Sequence, residues 1–232
     1  KAAMVAEISR LCSALKPGDT GIITFSGHGT YIPDRDGDEP DRRDEALCPF
    51  DLQQNLFLDD ELRLYLGKRV AGSKVLLITD CCHSGTMSRA AIITDSPRPQ
   101  EPPRYIPFAD LTACMCCNTV DRITTQVRAS RQAIFDNSNL VHLAGCQDDQ
   151  VSYDATIAGK ACGAFTHYAL AALKARKTPG MTYAEWQAAI RPHLPSNRYP
   201  QAPAFSGDLS GIVPGFEVAA DPPAMPDGTL YL

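Results

Sequence analysis

Apolar residues at positions 4, 5, 8, 11, 12 and 15 recur with the period of a helix buried along one side, and Lys16-Pro17-Gly18-Asp19 closes that helix with a turn. Thr20–Ser26 (TGIITFS) changes the pattern to a short, β-branched, almost wholly apolar run, which predicts a strand buried on both faces of a parallel sheet. The same signature returns at residues 74–79 (KVLLIT) and 139–146 (NLVHLAGC). Between the first two runs, residues 34–44 (DRDGDEPDRRD) read as an acidic loop, and Leu62, Leu64, Tyr65 and Leu66 give a buried side to a helix that opens on Asp59, Asp60 and Glu61. Further helices are predicted over 163–176 and 183–194, the second with Thr182 and Glu185 spaced for a capping box, and an edge strand near 204–206. Strands alternating with helices predict right-handed βαβ units, an α/β fold and a mainly parallel sheet.

Residues 86–138 break that rhythm, with Pro97, Pro99, Pro102, Pro103 and Pro107 and no firm apolar period before Leu111. They read as an insertion or processing loop between a first part (1–85) and a second part with a Pro-rich tail (139–232). At 232 residues the chain is long enough to bury a core without staples, and its net charge of −5 argues against a nucleic-acid or anionic-membrane footprint. No apolar run approaches the roughly 20 residues of a membrane span. Nine cysteines are an odd number for a disulfide framework in a chain of this length, so reduced thiols in the cytoplasm are expected. Lys1 is not an initiator Met and the helical pattern starts almost at once, which reads as a piece of something longer.

In an open parallel sheet, functional groups gather beyond the carboxyl ends of the strands. Two strands here end in reactive side chains: one runs into Ser26-Gly27-His28-Gly29, the other into Asp80-Cys81-Cys82-His83-Ser84-Gly85. Side chains alternate faces along a strand, so Ser26 and His28 share one face, as do Asp80 and Cys82, while Cys81 and His83 point the other way. His83 is a poor partner for its own neighbour, whereas His28 arrives from the adjacent strand. A thiol with a pKa near 8.5 is only a few per cent ionised at pH 7, so an imidazole that takes its proton and later protonates the leaving amine supplies what the chemistry needs. The backbone N–H groups of Gly29 and Cys82 are the candidate oxyanion donors, each worth about 3 kcal/mol.

Ser-Gly-His-Gly followed by Asp-x-Cys-His-Ser-Gly resembles the metacaspases and their prokaryotic relatives, the orthocaspases. Asp-Gly-Asp-Glu-x-Asp-x-x-Asp-Glu-Ala at 36–46 and Asp-Asp-Glu-Leu at 59–62 are similar to the same family, and the resemblance covers roughly residues 3–175. The 54 positions between His28 and Cys82 also lie close to the roughly 50 that separate the two groups in caspases. The resemblance implies a caspase-like three-layer α/β sandwich and a cysteine endopeptidase cutting after Arg or Lys, with His28 and Cys82 as the catalytic dyad and no cofactor required. Asp80 and Ser26 match the family's S1 pocket positions, and a carboxylate and a hydroxyl beside the dyad suit a cationic P1 side chain. A basic group of the protein filling the hollow by Asp80, or Cys82 and His28 on opposite sides of the sheet, would end the protease reading. The resemblance further implies calcium as a candidate activator held by Asp44, Asp59 and Asp60, hard oxygen ligands of the right kind, although a further family aspartate position falls near Arg89, whose charge repels a metal.

The family's first strand and its pocket segment are absent ahead of residue 4, so a companion N-terminal segment is an expected partner beside the peptide or protein substrate. Autolysis is expected after Arg89, Arg98, Arg104, Arg122, Arg128 or Arg131, and residues 147–154 are expected to rim the peptide cleft. Asp34, Asp36 and Asp38 open like an EF-hand loop but lack the closing Glu, and Cys114, Cys116 and Cys117 lack a second ligand pair at zinc spacing. His142 and His167 read as structural, and His193 is uninformative. The rival readings are a catalytically silent caspase-like module or subunit, and another thiol hydrolase acting on a small amide.

Overall fold

The computed structural model describes residues 1–33, 42–52, 55–82, 101–107, 110–111, 139–147, 150–176 and 179–216. Helix α1 (Ala2–Ala14) leads into β1 (Thr20–Ser26), with the turn at 16–19 where the sequence places it. After α2 (Asp59–Leu66) come β5 (Lys74–Asp80) and β6 (Leu140–Ala144), then α3 (Ala164–Ala175), α4 (Tyr183–Ile190) and β9 (Ala204–Ser206). The central sheet has the order β1-β5-β6-β9, parallel between β1, β5 and β6 and antiparallel at β9.

Period-two alternation along β5 sorts its side chains into two cores. Val75, Leu77 and Cys81 pack with Ile8, Cys12 and Leu66 beneath α1 and α2. Leu76 and Cys82 pack with Leu143, Phe165 and Trp186 beneath α3 and α4. Burying each large side chain is worth about 1.5–3 kcal/mol, so these two faces of one strand tie the three layers together. β1 differs from expectation. Its second face is not covered: Ile22 is 49% exposed, because among the described residues β1 has β5 as its one sheet neighbour and no helix lies over that side. An apolar groove of about 340 Å³ runs between the edge of β1 and the helices of the other face, lined by Leu11, Ile22, Ile23, Phe25 and Leu62 among others.

α4 starts with the predicted capping box, Thr182 Oγ1 accepting from the Glu185 N–H (3.2 Å) and Glu185 Oε2 from the Thr182 N–H (2.9 Å). It ends at Ile190 rather than 194, since Pro192 has no N–H to continue the ladder. Two smaller sheets were not legible in the pattern. β2 (Gly29–Pro33), β3 (Arg43–Leu47) and β4 (Phe57–Leu58) form an antiparallel side sheet, so Arg43 and Asp44 of the expected acidic loop are strand residues, and 34–41 lie outside the described residues. β7 (Asp154–Ile157) and β8 (Lys160–Gly163) form a hairpin whose turn holds Ala158 at φ 52° and Gly159 at φ 75°, the left-handed pair of a type I′ turn. Among the described residues no helix is long and apolar enough to cross a membrane.

Candidate active site

Parallel pairing of β1 and β5 sets Ser26 directly opposite Asp80, so both candidate pocket residues fall at one level of the sheet edge. Asp80 is buried, and its Oδ2 accepts from the N–H (2.9 Å) and the hydroxyl (2.6 Å) of Thr166 in the first turn of α3. Its Oδ1 is buried without a hydrogen bond among the described residues. Glycine at two neighbouring positions leaves room for this carboxylate: a Cβ at Gly163 would fall on Asp80 Oδ2, and one at Gly145 would meet Ser152 Oγ at 2.7 Å and Asp80 Oδ1 at 3.1 Å.

The space beside it holds Arg104. Its Nη1 donates to Ser26 Oγ (2.6 Å) and to the Asp80 carbonyl oxygen (2.8 Å) and lies 3.7 Å from Asp80 Oδ2, while Nε donates to Asp154 Oδ1 (2.8 Å). A basic group therefore does occupy the hollow by Asp80. It enters as part of an extended strand laid through the cleft, and that changes its meaning. The Arg104 carbonyl oxygen accepts from the Gly29 N–H (3.0 Å) and the Cys82 N–H (3.2 Å), the two amides singled out as oxyanion donors. The Arg104 N–H donates to the Ser152 carbonyl (2.8 Å) and the Asp154 N–H to the Pro102 carbonyl (3.0 Å), with Pro103 bridged antiparallel to Tyr153. On the other side, Tyr105 bridges to Gly29, the Ile106 N–H donates to the Gly29 carbonyl (3.0 Å), and Thr30 Oγ1 donates to the Ile106 carbonyl (2.8 Å). Pro102 and Pro103 lack an N–H, but this ladder uses only the carbonyl of Pro102 and the amide of Arg104, so the prolines forfeit none of it.

Cys82 lies at this junction on the α3/α4 side, its thiol donating to the Ser152 carbonyl (3.1 Å) and accepting from the Ser152 N–H (2.6 Å). Ser152 O thus receives both the Cys82 thiol and the Arg104 amide. Burial pushes the Cys82 thiol far above its ordinary range, and the adjacent Cys146 thiol pushes it further, so the thiol is neutral here. Cys81 faces the opposite core, and burial raises its thiol too. His28 is exposed; its carbonyl accepts from the Cys48 N–H (3.0 Å), and among the described residues its ring makes no hydrogen bond or ion pair. The structure therefore does not bring the His28 imidazole into hydrogen-bond contact with the Cys82 thiol.

Asp44, Asp59 and Asp60, the expected calcium ligands, are not gathered into one group among the described residues. No three metal-ligating side chains converge among the described residues. Asp59 and Asp60 occupy the first turn of α2 and pair with Arg63 one turn on (3.1 and 3.6 Å), which spends their charge on a cation of the same helix. Burial also raises the Asp59 carboxyl, with Arg63 opposing. The acidic positions 34, 36 and 38, Cys114, Cys116, Cys117, His83, and Arg89, Arg98, Arg122, Arg128 and Arg131 lie outside the described residues.

Three participants were not foreseen as such. Asp154, in the expected rim, supplies a second carboxylate to the arginine. Ser152 orients both the thiol and the docked strand. Buried Gln201 fixes that segment, its Oε1 accepting from the Tyr153 N–H (2.9 Å) and its Nε2 donating to the Gly145 carbonyl (2.8 Å). Ser152 and Asp154 were reached only as part of the expected rim at 147–154, and no signal in the sequence marked Gln201. His142 is structural in its contacts, its Nε2 2.8 Å from Thr79 Oγ1.

A parallel sheet between two helical layers, with a cysteine and a histidine at neighbouring strand tips, defines a caspase-like α/β domain. A crystal structure of a Geobacter sulfurreducens protein is similar to it, with a TM-score of 0.65 and 31% identity over 89% of this chain and 72% of that one. The family model described as metacaspase, peptidase C14 domain, matches residues 1–90. Metacaspase-1 of Mycosarcoma maydis is 30% identical over 230 residues (88% of this chain, 55% of that protein), and Metacaspase-1 of Schizosaccharomyces pombe 31% identical over 219 residues (84% and 51%). The chain is similar to these metacaspases over most of its own length, and it spans about half the length of these relatives.

Proposed function

We propose that this protein is a cysteine endopeptidase that cleaves after Arg or Lys, with Cys82 as nucleophile and His28 as general base and acid. The observation that carries the reading is Arg104, whose guanidinium meets Ser26, Asp80 and Asp154 while its carbonyl oxygen meets the Gly29 and Cys82 amides. That is the pose a P1 residue needs: side chain in an anionic pocket, scissile carbonyl polarised by two donors. His28 takes the Cys82 proton, Sγ bonds to the carbonyl carbon, and the electron pair moves onto the oxygen held by the two amides. Collapse expels the amine, which receives its proton from His28, and water then cleaves the thioester by the same route. The atoms balance without a resident cofactor.

The same pose supports autoprocessing at the Arg104–Tyr105 bond and a latent state in which the chain's own strand fills the cleft. In that state the thiol is neutral and bound to Ser152, so clearing the cleft is part of activation. Among the described residues β1 has a sheet neighbour on one edge only, and this edge beside the apolar groove supports a companion segment pairing there. A family model described as a peptidase weighs against a silent module.

The test is a panel of otherwise identical fluorogenic peptides with Arg, Lys or Asp at P1. Arg and Lys peptides are expected to turn over, and Asp peptides not, with Cys82→Ala and His28→Ala inactive. Turnover of the Asp peptide, or Arg turnover that survives Cys82→Ala, would overturn the assignment.

A further inference from the structure

The strand that occupies the cleft is held at a second charged position, three residues before Arg104. The Glu101 side chain is 11% exposed, although glutamate is rarely buried without a partner. Its Oε1 accepts from the Thr156 N–H at 3.3 Å and pairs with the Arg198 guanidinium. Thr156 lies two residues beyond Asp154 on β7, and the N–H groups of both turn away from β8 towards the docked strand, one to the Pro102 carbonyl and one to Glu101. Arg198 is preset from the other side, its guanidinium 5.3 Å from the centre of the Tyr199 ring, a buried side chain.

We propose that the Thr156 amide and Arg198 form an S4 subsite that selects an acidic residue, so that the substrates of this protein carry Glu or Asp three residues before the basic P1 residue. The inference rests on the basic-P1 reading and extends it to a charge pattern, acidic at P4 and basic at P1. Both ends are read from the short strand β7: Asp154 by its side chain at P1, and Thr156 by its backbone at P4. Arg198 is 55% exposed, so screening by salt limits the ion pair, and the backbone donor supplies the rest.

Tetrapeptide substrates of the form X-Pro-Pro-Arg, with X as Glu, Gln or Lys and a fluorogenic leaving group, test this on the full chain. At low salt kcat/KM is expected to fall in the order Glu, Gln, Lys, with about a tenfold span that narrows as salt is added. Arg198→Glu should invert the Glu-to-Lys ratio; because the ratio is taken within one variant, a general loss of folding cannot mimic it. Independently of added substrate, Glu101→Lys should loosen the docked strand, read as faster hydrogen exchange at the Arg104 amide. Equal rates for all three peptides, or a ratio unmoved by Arg198→Glu, would overturn the subsite while leaving basic-P1 cleavage standing. Absence of any cleavage after Arg, with Arg104 exchange unchanged in Glu101→Lys, would overturn both.

Discussion

The tips of β1 and β5 lie side by side, yet they are built differently. β5 has sheet neighbours on both edges and helices on both faces, and its terminal groups are fixed: Asp80 by Thr166, Cys82 by Ser152. β1 has one neighbour among the described residues, and Ser26 and His28 at its end are exposed. The proposed pocket floor and nucleophile are therefore preorganised by packing, while the proposed base stands on the adjustable side. Under the proposed function, this division holds the S1 pocket ready and leaves turnover to be controlled at His28 and at whatever fills the cleft.

The largest expected break comes at the buried tip. Cys82→Ala should lower hydrolysis of Arg peptides by on the order of 10⁴-fold or more, whereas Cys81→Ala, in the other core, should keep activity and lose some thermal stability; steady-state kinetics with melting curves separates the two. Loss of activity in both alike would undo the division between the two faces of β5. At the exposed tip, His28→Ala should cost about 10²–10⁴-fold in kcat with an unchanged melting temperature. Asp80→Asn keeps its place against Thr166 but removes the pocket charge, and should lower kcat/KM for Arg peptides by roughly 100-fold, narrowing the preference of Arg over Gln at P1. Gly163→Ala pushes a methyl group onto the Asp80 carboxylate and towards Arg104 Nη1, 2.8 Å from that added Cβ. It should raise KM for Arg peptides about tenfold, with a smaller change for neutral P1 residues.

The smallest effect is a pH dependence on the His28 side. Burial pushes the Cys48 thiol up to about 12 from an ordinary 9.0, and its N–H holds the His28 carbonyl. Between those values the unfolded chain releases a proton that the folded chain keeps, so stability is full below pH 9 and falls as pH rises towards 12. Urea unfolding at pH 8 and pH 10.5 should show the loss, reduced in Cys48→Ala.

Much of the three-layer plan was legible because β5 and β6 are apolar runs at the centre of a sheet, where periodicity and burial coincide. β1 was over-read for the converse reason: TGIITFS looks like a central strand, but Ile22 on its second face is about half exposed. The side sheet and the β7–β8 hairpin escaped because their strands are two to five residues long, and pairing rather than pattern defines them. At the site, parity along two strands sorted Ser26, Asp80, Cys81 and Cys82 onto faces before any coordinates. It did not reveal Arg104, since no local pattern in a proline-rich stretch says that it returns to the cleft, nor Gln201, which acts through contacts 48 and 56 residues away in sequence.

The central claim is that the cleft is shaped for arginine, is filled by Arg104, and opens onto Cys82. A peptidyl-arginine ketone electrophile followed by mass spectrometry addresses all three points at once. The account predicts one adduct, on Cys82, forming faster in Arg104→Ala than in the unaltered chain and much slower with an aspartyl analogue. Labelling of Cys81 instead, or equal rates for the arginyl and aspartyl reagents, would contradict it.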